Sequence, residues 1–272
     1  KLIPGISFFT FHAISYVTDI YRRESIAQKN IGTMGLYMVF YPQLIAGPII
    51  RYHEIADQFS TRKITLEGVS EGIKRFIIGL TKKVVFSNTF AYPADEIFRS
   101  DITAIDTPLA WFGIVCFTLH IYCDFSGYSD MALGLAKMFG FTFPENFNFP
   151  YIARSIQDFW HRWHITLSRW FRDYLYIPLG GNRKGPVRTY FNLILVFFLT
   201  GLWHGASWTM VVWGLFHGFF LILERAFLKN ILPRLYVFNH IYTLLVVMVA
   251  WVFFKSADIG FAEKLSWLLY LE

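Results

Sequence analysis

The stretch TYFNLILVFFLTGLWHGASWTMVVWGLFHGFFLIL, residues 189–223, runs for thirty-five residues between Arg188 and Glu224 without one Asp, Glu, Lys or Arg. As one straight helix it would be ~52 Å long, well beyond the ~30 Å hydrocarbon core of a bilayer. One helix cannot hold it. The break is expected in TGLWHGASW, where Gly201 and Gly205 flank His204 and permit a bend or a local opening of the backbone. Irregular backbone at membrane depth is tolerated only where protein or a water-filled cavity surrounds it. Length alone thus places His204 near the middle of the membrane, facing a cavity.

The rest of the chain agrees with a membrane class. Residues are 55% hydrophobic, 20% aromatic and 16% charged, against roughly 25% charged and ~45–50% apolar in soluble domains. Thirty Phe, fifteen Tyr and nine Trp exceed what a soluble core needs, and amphipathic rings are favoured where protein meets lipid headgroups. The net charge of +6 is gathered in short clusters beside apolar segments, Arg22-Arg23, Arg62-Lys63, Lys82-Lys83 and Arg183-Lys184. Excess Lys and Arg in cytoplasmic loops explains it, so no nucleic-acid partner is expected. Cys116 and Cys123 lie seven apart on one helix face, too distant along the axis for a disulfide, and read as packed thiols. The opening KLIPGISFF has no Met, no basic n-region and no small-residue cleavage site, so it does not read as a signal peptide. Because it begins inside an apolar run, further membrane segments are expected upstream.

Apolar stretches fit to enter a bilayer are Leu2–Val17, Gly35–Ile50, Phe76–Phe90, Pro108–Cys123, Tyr190–Leu223 and Ile241–Phe254. Several fall short of the ~20 residues of a perpendicular span, so tilted, broken or partly inserted helices are expected. Thr65–Val85 alternates lysine and arginine with Phe76, Ile77, Ile78 and Leu80, and reads equally as an interfacial amphipathic helix. GFTFPENFNFPY (140–151) and LGGNRKGP (179–186) read as loops. No repeat or long linker divides the chain, so residues 1–272 are taken as a single all-α, polytopic transmembrane domain.

Between those loops lies DFWHRWHITLSRWFRDY, residues 158–174. Ser155, three residues before Asp158, reads as a helix N-cap. At ~100° per residue Ile156, Phe159, Trp160, Trp163, Leu167, Trp170, Phe171 and Tyr174 share one face. Gln157, His161, His164, Ser168 and Arg172 form a polar seam beside it, and Arg162 and Arg169 occupy the remaining side. Such a helix suits a membrane interface or a cavity wall better than lipid.

His161 and His164 stand three apart, but no third ligand accompanies them and a catalytic zinc needs three, so no metal is expected. His161 reads as an interfacial group, while His164 is as well suited to function as to packing. Asp124 ends a long uncharged run and, as an ionisable group at membrane depth, is a functional candidate ahead of Asp130. His120 and His217 read as packing and hydrogen-bonding residues, and QLIAGP (43–48) as a segment-ending break.

FWHRWHITLSRWFRDYLYIPLGGNR followed by LTGLWHGASWTMVVWGLFHG resembles the signature region of the membrane-bound O-acyltransferases, in the bacterial branch that acetylates alginate and D-alanylates teichoic acid. YPQLIAGPIIRYHEI and HIYCDFSGYSDMALGLAKMFGF are similar to the alginate branch. The resemblance covers nearly the whole chain. It implies tilted, broken and interfacial helices around a central tunnel, with further helices before and after these residues. It implies catalysis by His204 of the WHG block, assisted by His164; beside it, the reading of the residues themselves gives Trp203, Ser168, Asp124 and Arg172 as supporting or cavity candidates. Neutral imidazole, with a pKa near 6.5, suits the removal of a hydroxyl proton as it attacks a thioester, and His164, Ser168 or the Trp203 indole are candidate oxyanion donors.

The implied donor is cytoplasmic acetyl-CoA, as a substrate and not a tightly bound cofactor. The implied acceptor is an exported polysaccharide such as alginate, with cellulose and peptidoglycan as alternatives. The implied setting is the bacterial inner membrane, with an extracytoplasmic transfer protein as partner. Without the resemblance, His204, Asp124 and the polar seam also suit a polar-solute transporter or channel.

Overall fold

The computed structural model describes residues 5–44 and 47–269. Thirteen α-helices are found among them, with no strand. In chain order they are α1 (Ile6–Tyr21), α2 (Ile31–Val39), α3 (Tyr52–Ile55), α4 (Gln58–Thr61), α5 (Leu66–Thr81), α6 (Asn88–Arg99), α7 (Thr107–Met138), α8 (Ile156–Arg162), α9 (Ile165–Phe171), α10 (Gly185–His204), α11 (Trp208–Leu223), α12 (Val237–Lys255) and α13 (Ile259–Leu268). The expectation of an all-α chain holds. Among the described residues, four stretches are long and apolar enough to cross a membrane: Thr107–Met138, Gly185–His204, Trp208–Leu228 and Val237–Lys255. The chain forms two compact units, each assembled from three separate stretches.

The first unit comprises residues 1–85, 123–148 and 164–174. In it α5 and the second half of α7 pack backbone against backbone. Gly72 and Gly79 on one helix, and Gly127 and Gly134 on the other, recur every seven residues, about two helical turns. A Cβ on Gly79 would lie 2.5 Å from the Gly127 carbonyl oxygen, and one on Gly134 would lie 2.6 Å from that of Gly72. Small residues are what allow membrane helices so close an approach. Charges flank the glycine seam. Arg75 and Lys82 donate to Asp130 at 3.0 and 2.7 Å, Lys83 pairs with Asp124, and Lys137 with Glu71. The helix from Thr65 is thus a packed one with an apolar outer face, where Ile73, Ile77 and Leu80 are exposed.

Two expected segments take another form. The structure begins its description of Leu2–Val17 at Gly5, and α1 turns a polar stripe inward: His12, Ser15 and Asp19 are fully buried while Phe9, Ile14 and Val17 face outward. Gly35–Ile50 is not one segment. Its helix stops at Val39, two residues before the Tyr41-Pro42 pair, because proline lacks an N–H and disfavours helix in the residue before it. The Gln43 amide then donates to the Tyr37 carbonyl at the helix end. Ile45 and Ala46 of the QLIAGP break lie outside the described residues.

The second unit comprises residues 86–122, 149–163 and 175–272. Its centre is the hairpin of α10 and α11. A Cβ on Gly214 would come within 3.2 Å of the Gly201 backbone, so the two helices cross at that glycine pair. Lys255 on α12 pairs with Asp95 on α6, and the Thr107 hydroxyl donates to the Leu268 carbonyl at 3.0 Å. Both cysteines are free thiols, as the spacing requires.

Candidate functional site

The break expected in TGLWHGASW is present. Helix α10 ends at His204 and α11 starts at Trp208, where the Ser207 side chain accepts the Met210 N–H. Gly205 is extended, with φ 179°, a conformation open to any residue, and Gly201 stays helical and serves close packing instead. The half-depth argument does not survive. Helix α10 starts at Gly185, so each arm of the hairpin is itself of spanning length, 20 and 21 residues, and His204 stands at the turn between two such arms.

The His204 ring is half-buried and bounded by aromatic rings. Trp203 lies 4.6 Å away between centroids, Trp213 4.9 Å at 84°, and Phe254 5.3 Å at 76°. No protein hydrogen bond is recorded to the ring among the described residues. Its orientation is therefore set by packing, not by the carboxylate or carbonyl that usually fixes a catalytic imidazole. Trp203, expected to support it, is brought into place.

The expected single helix through HRWH is corrected. Helix α8 ends at Arg162, Trp163 is extended, and His164 takes the left-handed region at φ 43° and ψ 54° before α9 begins. A left-handed, non-glycine residue is strained by roughly 1–3 kcal/mol and persists where its surroundings impose it. Here Asn146, from the FPENFNFP loop, imposes it. The Asn146 carbonyl accepts the Ile165 N–H at 2.9 Å, and its side-chain oxygen accepts the Thr166 N–H at 3.3 Å and hydroxyl at 2.9 Å. That same oxygen stands 3.1 Å from His164 Nδ1. Since the backbone N–H of Thr166 identifies the oxygen, His164 Nδ1 carries a proton and donates to it. The ring is 1% exposed, with Phe125 edge-on at 4.7 Å.

The aromatic face follows the expectation in burial and departs from it in partners. Ile156, Phe159, Trp160 and Trp163 are buried in the second unit, with Trp163 5.0 Å from Trp251. Leu167, Trp170 and Phe171 are buried in the first, where the Trp170 indole donates to the Phe11 carbonyl at 3.1 Å. His164 and His204 belong to different units.

The other candidates resolve individually. Ser168 sits one turn after His164, and its buried hydroxyl has no hydrogen-bond partner. Asp124 has the Lys83 ammonium as an ion-pair partner, which supplies a structural account of its charge. Arg172 is largely exposed and donates to Asp173 at 2.7 Å. Burial works to raise the Asp173 carboxyl, but Arg172 and Arg51 outweigh it and hold it below its ordinary range. His161 is exposed, and His120 Nδ1 lies 3.0 Å from the Ser87 hydroxyl. His217 packs as expected but makes no hydrogen bond. No group of three or more potential metal ligands occurs among the described residues.

Sequence reasoning missed Asn146, Trp213, Phe254 and Glu224. Glu224 is the charge that closes the uncharged run, and that position was its only signal. Its buried carboxylate accepts the Ile156 N–H at 2.6 Å and the Gln157 N–H at 3.2 Å, capping α8 together with the expected cap, Ser155, which accepts the Asp158 N–H at 2.9 Å. Glu224→Ala leaves the buried Ile156 N–H unmatched and is expected to cost about 1–3 kcal/mol. Glu224→Gln keeps one acceptor and should cost less. Thermal unfolding of the two variants in detergent checks the order, and equal stabilities would remove Glu224 from the cap.

Residues 22–258 match the membrane-bound O-acyltransferase (MBOAT) family. The chain belongs to that family. It is 47% identical, over 97% of its length, to a probable alginate O-acetylase, AlgI, of Pseudomonas fluorescens, and covers 53% of that protein. It is 39% identical over 96% of its length to a peptidoglycan O-acetyltransferase of Helicobacter pylori, covering 55% of it. A teichoic acid D-alanyltransferase of Bacillus subtilis is 28% identical over 83% of the chain, which covers 59% of it. The chain spans about half the length of these MBOAT relatives. Both the His164 and His204 regions fall inside the matched residues.

Proposed function

We propose that the chain carries the acyl-transfer centre of a membrane-bound O-acetyltransferase that acts on an exported polysaccharide, with alginate as the leading acceptor. The observation that carries this reading is the 47% identity, over 97% of the chain, to a probable alginate O-acetylase. His204 is the general base. Its neutral imidazole takes the proton of an acceptor hydroxyl as the oxygen attacks the thioester carbonyl of acetyl-CoA. The tetrahedral adduct collapses, the carbon–sulfur bond breaks, and the imidazolium returns the proton to the departing thiolate. Protons and charge balance with no further reactant.

His164 fits a different part of the chemistry than first expected. With Nδ1 donating to Asn146, His164 in its neutral form would offer Nε2 as an acceptor, which suits orienting a hydroxyl better than donating to an oxyanion. The Trp203 indole, 4.6 Å from the His204 ring between centroids, stays as the donor in this scheme. Acetyl-CoA approaches from the cytoplasm through a tunnel. The acceptor side faces outward across the bacterial inner membrane, where a separate transfer protein receives or completes the acetylation. The name of the H. pylori relative supports peptidoglycan as the second acceptor.

Membranes holding the complete protein and its export system, given acetyl-labelled acetyl-CoA, are expected to pass label to polymer or to a partner protein. Movement of a polar solute with no label transferred would replace this reading with a transporter.

A further inference from the structure

We propose that His217 is a positioning residue for the His204 imidazole, acting through the indole of Trp213. The inference rests on the reading of His204 as the base. Trp213 on α11 touches both imidazoles, with its centroid 4.9 Å from His204 at 84° and 5.3 Å from His217 at 80°. His217 follows Trp213 by four residues, one turn along the same helix face. Near-perpendicular pairs of this kind present the positive edge of one ring to the electron-rich face of the next. Whatever fixes the indole therefore fixes the wall of the His204 niche.

His217 is held on every recorded side by rings. Trp160 stands 5.1 Å away at 82°, and Phe159 lies parallel at 6.2 Å. Its side chain is fully buried, yet neither ring nitrogen has a hydrogen-bond partner among the described residues. An unmatched buried polar atom is costly, and a leucine of similar size would fill the same space without that cost. Packing alone therefore favours a hydrocarbon here. An imidazole offers what leucine does not, a flat polar ring perpendicular to the Trp213 indole. Since the His204 ring has no hydrogen bond among the described residues to orient it, its rotation is limited by Trp203, Phe254 and Trp213, and His217 acts on the last of these.

The test is steady-state acetyl transfer by the complete protein, with rates counted per folded molecule. His217→Leu is expected to lower kcat about 10- to 100-fold, as a misplaced catalytic group does. The KM for acetyl-CoA should change less than about threefold, and thermal stability should hold or rise once the unmatched nitrogens are gone. Wild-type kcat in His217→Leu overturns the proposal. If that variant does not fold, His217→Phe, which keeps a ring and loses both nitrogens, carries the same comparison with the same two outcomes. His204→Ala separates the two readings. Full activity in His204→Ala removes the base itself, whereas a dead His204→Ala beside a fully active His217→Leu or His217→Phe removes only the positioning role.

Discussion

His204→Ala, made in the complete protein, is expected to cut acetyl transfer by about a thousandfold, within the range that removal of a general base produces. Membrane insertion should be unchanged. The two expectations have separate physical grounds. The half-buried His204 ring makes no hydrogen bond among the described residues, so removing it strands no partner, and two of the aromatic residues around it are held by another ring: Trp213 stacks with Trp251 at 6.1 Å, and Phe254 lies 5.4 Å from Trp251. The loss of contact is confined to one side chain at a helix end. The loss of chemistry is larger, because an attacking hydroxyl with a pKa far above neutrality needs an acceptor for its proton at the moment of attack. Label transfer from acetyl-CoA, set beside the amount of protein integrated into membranes, checks both. Transfer at the native rate by a correctly inserted His204→Ala protein would remove the histidine from the chemistry.

The second large effect is on folding. Gly79→Leu is expected to prevent the first unit from packing, with little or no folded protein recovered from membranes. A Cβ at this position meets the Gly127 oxygen at 2.5 Å and the Met131 nitrogen at 2.7 Å, both backbone atoms in the middle of α7. Backbone cannot swing aside as a flexible side chain does, so the helices must separate. Overpacking a well-filled interior costs about 1–3 kcal/mol even where side chains yield, and a rigid wall belongs above that range. Separation also pulls apart the Arg75–Asp130 and Lys82–Asp130 pairs, leaving a mostly buried carboxylate without its cations. Gly35→Ala is the matching control. It lies in α2 with nothing within 4 Å of an added Cβ, and should be neutral or stabilising by up to about 1 kcal/mol. Equal recovery of both variants in a detergent thermal-shift assay would show that the seam tolerates separation.

What the sequence revealed divides by the range of the interaction concerned. The helix start at Ser155 and the break after His204 were readable because a cap and a length limit act within a few residues. The burial of Phe159, Trp163 and Trp170 was readable for the same reason, since spacing alone sorts a helix face. The interruption at His164 was not. It is imposed by Asn146, eighteen residues upstream, and a strip of sequence does not announce that a loop amide will capture the next turn's N–H groups. Asp124 looked isolated because its partner, Lys83, is forty-one residues away. The length argument for the half-depth placement of His204 lost its premise at its starting point. Counting began after Arg188, but the helix admits Gly185, Pro186 and Arg188 into its first turn, and so gains the length of a complete crossing.

The division of the chain into two interleaved units bears on how the protein is made. The first unit takes residues from 1–85, 123–148 and 164–174, so it cannot close until Tyr174 has left the ribosome, and the second waits for the stretch beyond 175. A chain broken at any point between residues 86 and 163 leaves both units short of a stretch, so this protein does not divide into two halves that mature separately. During synthesis the glycine-lined face of α5 must wait for the second half of α7, 48 residues from Gly79 to Gly127 and 62 from Gly72 to Gly134, while its charges stay unpaired in the translocation machinery or at the membrane surface. Delayed pairing of this kind makes biogenesis depend on whatever shelters α5, and makes cells short of insertase or membrane chaperone the first place where yield should fall.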